Sequence, residues 1–206
     1  MNPMRYALSS ALALAVAFAA APPAVHAQAA DPAAAQIEKF DDALLDVMKR
    51  AKALGPRGRF DALQPAVERA FDLPAMTRFA VGTTWASVPA DQQAELIKAF
   101  SRMTVATYAR NFDGYGGEKF SVGKVDTRGP DKLVHTLLSG GGDPTNLAYR
   151  MRESGGAWKV IDVYYNTAVS SLLGQRSEYA STLSAGGAPA LVKKLNARAD
   201  QLLQPR

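Results

Sequence analysis

The hydrophobic period of this chain changes twice along its length, and that change constrains the fold more than any other feature. From residue 31 to about residue 112, apolar residues recur every three or four positions, as they do on amphipathic helices. From Phe120 to Tyr165 they recur every second position, and after Ala168 the helical spacing returns. Helices, then consecutive strands, then helices predict an α+β fold rather than alternating α/β.

Four strands are predicted in the middle region, forming an antiparallel meander. The first begins at Phe120, and the others span 132–138, 146–153 and 158–165. A loose turn at residues 140–144 precedes the third strand, and the tight turn Ser154-Gly155-Gly156 joins the third strand to the fourth.

The last of these strands, with the sequence WKVIDVYY, is apolar or aromatic on both faces. A half-exposed strand would alternate apolar and polar residues. Its second face therefore needs a cover, and either helices or a hydrocarbon ligand would supply one. The fold is thus predicted to pack N-terminal and C-terminal helices around the sheet, and the remaining apolar surface is either closed by those helices or left as an apolar cavity.

Helix boundaries are indicated by caps and breakers. Asp31-Pro32 starts the first helix, and the glycines and proline of 55–58 break it. The longest helix opens near Asp91 and ends in the glycine-rich stretch 111–117. In the C-terminal region, Gly186-Gly187 is a predicted stop and Pro189 a restart.

The N-terminus has the pattern of a secretory signal peptide, residues 1–27. Arg5 supplies the positive charge, residues 7–21 form an apolar run too short for a typical membrane span, and Val25-His26-Ala27 is a cleavage site. We expect residues 28–35 to be a flexible outlet and residues 36–204 to form one domain in the periplasm.

Composition excludes several chemistries. The chain has no cysteine, and only His135 follows the leader, so neither a metal site nor a nucleophilic triad is predicted. The formal net charge is +5, but the basic residues are scattered, which argues against a nucleic-acid partner.

Asp162 is the acidic residue to which the sequence assigns no single role, because it lies within an apolar strand. Burial would raise its pKa and suit it to act as a general base. The alternative is an ion pair across the hairpin with Arg150 or Arg152, which the sequence favours.

Three stretches, in this order, resemble the MlaC-type periplasmic phospholipid-binding proteins of the toluene-tolerance family. They are FDLPAMTRFAVGTTW (71–85), ADQQAELIKAFSRMTVATYARNF (90–112) and YRMRESGGAWKVIDVYYNTAVSSLLGQRSEY (149–179). The stretch NFDGYGGEKF (111–120) further resembles the hopanoid-associated subgroup, HpnM. The family commonly has Asn-Tyr-Arg where this chain has Gly174-Gln175-Arg176.

The resemblance implies a lipid-binding domain that carries phospholipid, or a hopanoid, between the inner and outer membranes as the soluble component of a transport system. It implies no enzymatic activity and no cofactor other than the lipid cargo. The implied partners are an inner-membrane ABC-type or RND-type complex and an outer-membrane lipoprotein complex.

The resemblance also implies a set of cavity and mouth residues. They are Trp85, Phe100, Thr104, Tyr108, Tyr149, Val163, Tyr165, Val169, Leu172 and Arg176. Two alternatives stay open at this point: a small pocket enzyme that uses Asp162 as general base, and a periplasmic adaptor with a filled core and no ligand.

Overall fold

A computed structural model describes residues 31–166 and 169–205 of the 206-residue chain. The elements in this part are α1 (Pro32–Lys49), α2 (Ala51–Ala70), α3 (Leu73–Val81), α4 (Ala90–Asn111), β1 (Lys119–Arg128), β2 (Asp131–Ser139), β3 (Thr145–Ser154), β4 (Ala157–Tyr165), β5 (Val169–Ser170) and α5 (Ser171–Leu202). A 3₁₀ segment, Gly82–Ser87, joins α3 to α4. The helices and strands are segregated along the chain, so the α+β prediction is confirmed. The predicted signal peptide, 1–27, lies outside the described residues.

The first helix begins earlier than the domain boundary expected at residue 36. Asp31 caps it, because its carboxylate accepts the N–H of Ala33 at 2.9 Å, and Pro32 takes the first helical position. Ala33 is fully buried in the core. Residues 32–35, which the sequence assigns to a flexible outlet, are therefore the first turn of α1.

Two predicted helix breaks are kinks within longer helical segments. Gly55 (φ 62°) bends α2 one turn after it begins, and α1 itself ends earlier, at Lys49. Gly187 (φ 64°) bends α5 between two helical halves, which we name α5a (171–186) and α5b (188–202). Both glycines adopt a backbone conformation that a side chain would strain, so the chain can turn there without a loop.

The sheet is open and antiparallel, with the strand order β1-β2-β3-β4-β5. Its first four strands confirm the predicted meander. The fifth strand was not predicted: Val169 pairs with Tyr165 and Ser170 with Tyr164. Two residues are too short to show a period of two, and their apolar member fits the helical spacing that follows.

The helices cover one face of the sheet and so bury one of the two apolar faces of β4. Val134, Tyr149 and Val163 stand opposite one another on β2, β3 and β4, and all three are buried in the main hydrophobic core. Phe40 of α1 packs edge-on against Tyr149, with ring centroids 6.3 Å apart. The core therefore lies between this face and α1, α2 and α4.

The other face of the sheet carries a polar network centred on Asp131. Its buried carboxylate accepts hydrogen bonds from Arg150 and Arg152, each at 2.6 Å. Burial alone would raise the pKa of Asp131, but the hydrogen bonds from Arg152 and Arg150 outweigh it and hold the pKa below its ordinary value. The two arginines are about half-exposed and pair with the buried carboxylate on this face. Among the described residues, no helix has the length and hydropathy of a membrane span.

Candidate functional site

A cavity of about 70 Å³ lies where α3, α4, β4 and the start of α5 meet; we call it the central cavity. Its lining consists of Phe71, Met76, Phe100, Met103, Thr104, Thr107, Tyr108, Val163, Tyr165, Ser171, Leu172 and Gln175. Half of these side chains are apolar, and the other half carry a hydroxyl group or, in Gln175, a carboxamide. Among the described residues no charged side chain lines the cavity, so it suits hydrocarbon rather than an ion or a charged substrate.

One face of α4 supplies much of the cavity wall. Phe100, Thr104 and Tyr108 follow at intervals of four residues, so they lie along one face of the helix. The hydroxyl of Thr107 donates to the carbonyl of Met103 at 2.9 Å, and the hydroxyl of Ser171 donates to the carbonyl of Val163 at 2.6 Å. These two hydroxyl donors are therefore already satisfied and make no demand on a ligand.

The structure brings six of the ten predicted site residues together at this cavity. They are Phe100, Thr104, Tyr108, Val163, Tyr165 and Leu172. They come from α4 and from the β4–α5 region, which is more than 50 residues further along the chain. Their contact with lipid remains a prediction.

The other four predicted residues do not line the central cavity. Tyr149 is buried in the core beside Phe40, and Trp85 lies half-buried on the 3₁₀ segment under Arg78. Val169 is 66% exposed on β5, next to Tyr165 at the surface. Arg176 points into a separate cleft.

Sequence reasoning missed several lining residues. Met103 and Thr107 lie on the same face of α4 as Phe100 and Thr104, so the helical spacing was the signal that could have found them. Phe71 and Met76 come from the end of α2 and from α3, and nothing local distinguishes them from ordinary core residues.

An aromatic cluster forms the inner end of the cavity. The ring of Tyr108 packs edge-on against Phe40 and Phe71, with centroids 5.2 and 5.6 Å away, and stacks on Phe112 at 5.9 Å. Burial, followed by the nearby Tyr149, raises the pKa of Tyr108 well above its ordinary value, so the phenol stays neutral. These interlocked rings form a rigid floor.

A buried carboxyl group lies behind this floor. Asp41 of α1 is only 3% exposed, and neither of its carboxylate oxygens has a hydrogen-bond partner in the described part of the chain. Burial raises its pKa to about 8, and the charges of Asp42 and Glu38 add to the effect. At neutral pH the group is therefore mostly protonated, which avoids an unpaired buried charge.

Asp162 has a different role from either of those that the sequence suggests. One carboxylate oxygen accepts the N–H groups of Val163 (2.8 Å) and Leu172 (3.2 Å), and the other accepts the hydroxyl of Ser170 (2.6 Å). The expected ion pair is wrong, because Arg150 and Arg152 bind Asp131 instead. Asp162 ties β4 to the start of α5, and its oxygens are occupied by these donors rather than directed at a substrate.

A groove of about 320 Å³ lies between α5a and α5b, on the far side of Met103 and Gln175 from the central cavity. We call it the α5 groove; Tyr179 and Leu195 also line it, together with the charged side chains of Glu178, Lys194 and Arg198. Met103 and Gln175 line both spaces and so form the partition between them. The carboxamide oxygen of Gln175 is buried without a hydrogen-bond partner, so this partition is not locked by polar contacts.

The family assignment agrees with this geometry. The family model described as "MlaC protein" matches residues 38–197, which span nearly all the described part of the chain. The chain belongs to the MlaC family. The MlaC match includes the whole sheet, the residues that line the central cavity, and all the helices except the start of α1 and the end of α5.

A solved structure shares this MlaC fold. It is the phospholipid-binding protein from Ralstonia solanacearum, determined in complex with a phospholipid. The two chains superpose with a TM-score of 0.74 at 22% sequence identity, over 84% of this chain and all of the other. No protein with a curated description matches this chain.

Proposed function

We propose that this MlaC-family protein binds phospholipid by its acyl chains in the central cavity and carries it through the periplasm between the inner and outer membranes. The observation that carries the proposal is a cavity without charged side chains that reaches the surface at apolar residues. Tyr165 lines the cavity and is half-exposed, and Val169 and Leu173 beside it are exposed. The phospholipid complex of the Ralstonia protein supports the choice of ligand.

The central cavity must enlarge to hold an acyl chain. Cavities that bind small molecules usually measure about 300–1,000 Å³, and this one measures about 70 Å³. Met103 has an unbranched side chain that changes rotamer at low cost. Rotation of Met103 and Gln175 would join the cavity to the α5 groove, and the combined space would fall within that range.

The free energy available from burial suits a carrier. Removing one chain of about 15 methylenes from water is worth roughly 12 kcal/mol at about 0.8 kcal/mol per CH₂, which corresponds to a nanomolar dissociation constant. A carrier with this affinity releases its cargo slowly. Transfer therefore requires docking to a membrane complex, of the ABC or RND type at the inner membrane and a lipoprotein complex at the outer membrane.

The proposal is a binding protein rather than an enzyme, because the oxygens of Asp162 already serve the start of α5. A hopanoid is a second candidate cargo. Its fused rings lose less conformational entropy on binding than flexible acyl chains do.

Mass spectrometry of the protein purified without detergent tests the proposal. We expect a phospholipid bound in a one-to-one ratio under native conditions and recovered by solvent extraction. Uptake from liposomes should restore the lipid after its removal. Absence of lipid together with no uptake would contradict the proposal, and an extracted hopanoid would change the cargo.

A further inference from the structure

A second hollow, open to solvent, lies along the seam between α3 and α5. We call it the arginine cleft; its lining includes Arg78, Phe79, Gly82, Arg152 and Arg176, and its volume is about 710 Å³. It adjoins the central cavity, because Met76 and Phe79 are one turn apart on α3. Gln175 and Arg176 are likewise neighbours on α5a. A molecule in the cavity could therefore extend its polar end into the cleft.

Aromatic rings and a glycine hold two of the arginines in place. The guanidinium of Arg176 lies over Phe79, 5.4 Å from the ring centroid, and that of Arg78 lies 5.9 Å from the centroid of Trp85. A Cβ atom at Gly82 would lie 3.0 Å from Nε of Arg176. The absence of a side chain at Gly82 therefore leaves room for the guanidinium group. Cation–π contacts orient a guanidinium without neutralising its charge.

Positive charge exceeds negative charge in the cleft, because its lining holds three arginines and one carboxylate, that of Asp72. Neither Arg78 nor Arg176 forms an ion pair in the part of the chain that the structure describes. Arg152, in contrast, is bound to Asp131. The carboxylate of Asp72, which also lines the cleft, accepts the N–H of Ala75 at 3.0 Å as the cap of α3. Two oriented guanidinium groups thus remain for an anion.

We propose that Arg78 and Arg176 bind the phosphate of a lipid headgroup whose tails occupy the central cavity. The planar guanidinium matches the oxygens of a phosphate, and charge-assisted hydrogen bonds of this kind are strong. This inference rests on the proposed function and narrows it to phosphorylated lipids. Neutral lipids, including diacylglycerol and hopanoids without phosphate, lack the group that the cleft recognises.

The test compares two ligands that differ only in the headgroup. Phosphatidylethanolamine and diacylglycerol with identical acyl chains each displace a fluorescent fatty acid from the purified protein. We expect the wild-type protein to prefer the phospholipid by about ten- to a hundredfold, the range for hydrogen bonds to charged groups. In Arg176→Gln and Arg78→Gln the preference should fall by about tenfold or more, while diacylglycerol binding stays unchanged.

Arg57→Gln is the matched control, because Arg57 also lies over an aromatic ring, that of Phe60 at 5.1 Å, but is paired with Asp61 outside the cleft. It should keep the wild-type preference. A preference retained in both cleft variants would overturn the headgroup site, whereas failure of both lipids to bind the wild type would overturn the proposed function itself. Titration with inorganic phosphate completes the test: phosphate alone binding as tightly as the phospholipid would overturn the assignment to a lipid headgroup.

Discussion

Asp41 shows how a single residue in this fold responds to its surroundings rather than to its position in the sequence. On the helical spacing of α1 it is one of two adjacent acids, Asp41 and Asp42. The fold buries the first beside Tyr108 and Tyr149 and leaves the second exposed. Burial therefore keeps Asp41 mostly protonated at neutral pH.

The raised pKa of Asp41 predicts that the folded protein loses stability as the pH rises. Its pKa is about 8 in the folded protein, against an ordinary value of 3.8. The native state binds this proton more tightly than the unfolded state, so the contribution is complete below about pH 4 and is lost by about pH 8. At 1.36 kcal/mol per pKa unit, the loss is on the order of 5 kcal/mol. Urea unfolding between pH 4.5 and 8 measures it.

The matched variants make this prediction specific. Asp41→Asn should flatten the profile, whereas Asp42→Asn should keep most of it, because burial is the larger cause of the raised pKa of Asp41 and the charge of Asp42 only adds to it. The lowered pKa values of Asp31 and Asp131 act in the opposite direction, since their contributions are lost only as the pH falls below about 4. A wild-type profile that is flat above pH 4.5 would show that Asp41 is not buried as described.

Asp162 should matter for stability. Asp162→Ala leaves the N–H of Leu172 and the hydroxyl of Ser170 without their acceptor. We expect a loss of about 2–4 kcal/mol in the free energy of unfolding, because each unsatisfied buried group costs about 1–3 kcal/mol. Asp162→Asn should cost less, since its amide oxygen still accepts. Denaturant unfolding measures the difference, with Asp91→Ala, at an exposed position in α4, as the control. An unchanged free energy of unfolding in Asp162→Ala would contradict the structural role of Asp162.

At the scale of elements, the cavity depends on how α4 meets α5a. The two helices leave a small space that Met103 and Gln175 separate from the α5 groove. Thioether and carboxamide side chains can rotate without moving the helices, whereas the aromatic floor of Tyr108 and Phe71 is interlocked. We therefore expect the cavity to enlarge at this partition and not at its floor.

Filling the central cavity should prevent lipid binding. In Thr104→Phe, the added ring occupies space against the α4 wall, and we expect the lipid recovered per protein to fall at least several-fold. The cost of overpacking is about 1–3 kcal/mol, so the variant should still fold. Thr127→Phe, on the exposed surface of β1, controls for the added apolar surface. Solvent extraction with mass spectrometry measures the lipid content, and a thermal melt checks that each variant is folded. A wild-type lipid content in Thr104→Phe would show that the lipid binds elsewhere.

At the scale of the whole molecule, ligand and fold are thermodynamically linked. A ligand that binds only the native state stabilises it by RT ln(1 + [L]/Kd), about 2.7 kcal/mol at a concentration one hundred times Kd. The chain contains no cysteine, so it can be unfolded, freed of lipid and refolded without disulfide exchange. It is a convenient molecule in which to measure the linkage.

We expect the delipidated protein to melt at a lower temperature than the protein as purified. Addition of phospholipid vesicles should restore the higher melting temperature, because the native state regains its ligand. Vesicles added to Thr104→Phe should change the melting temperature little. Identical melting curves with and without lipid in the wild type would show that the lipid does not bind the folded state.

The sequence by itself determined the class of the fold and the main elements. Amphipathic spacing, the Asp31-Pro32 cap and the Gly155-Gly156 turn each depend on residues that are close together in the sequence. Local sequence patterns therefore predict them. The ordered resemblance also indicated the family, because it compares whole stretches rather than single contacts. The sequence does not predict that the helices continue across Gly55 and Gly187, since a kink and a helix end have the same local pattern.

Only the tertiary structure decided which residues meet. The period of α4 places Phe100 and Thr104 on an apolar face, but an apolar face can line a cavity or fill a core. Asp131 rather than Asp162 binds the arginines of β3, although Arg150 and Asp162 stand directly opposite each other in the sheet. The oxygens of Asp162 are taken instead by Ser170 and by the N–H groups of Val163 and Leu172. The central cavity, the partition at Met103 and the arginine cleft all join residues distant in sequence. Their geometry follows from packing between elements, which no local pattern records.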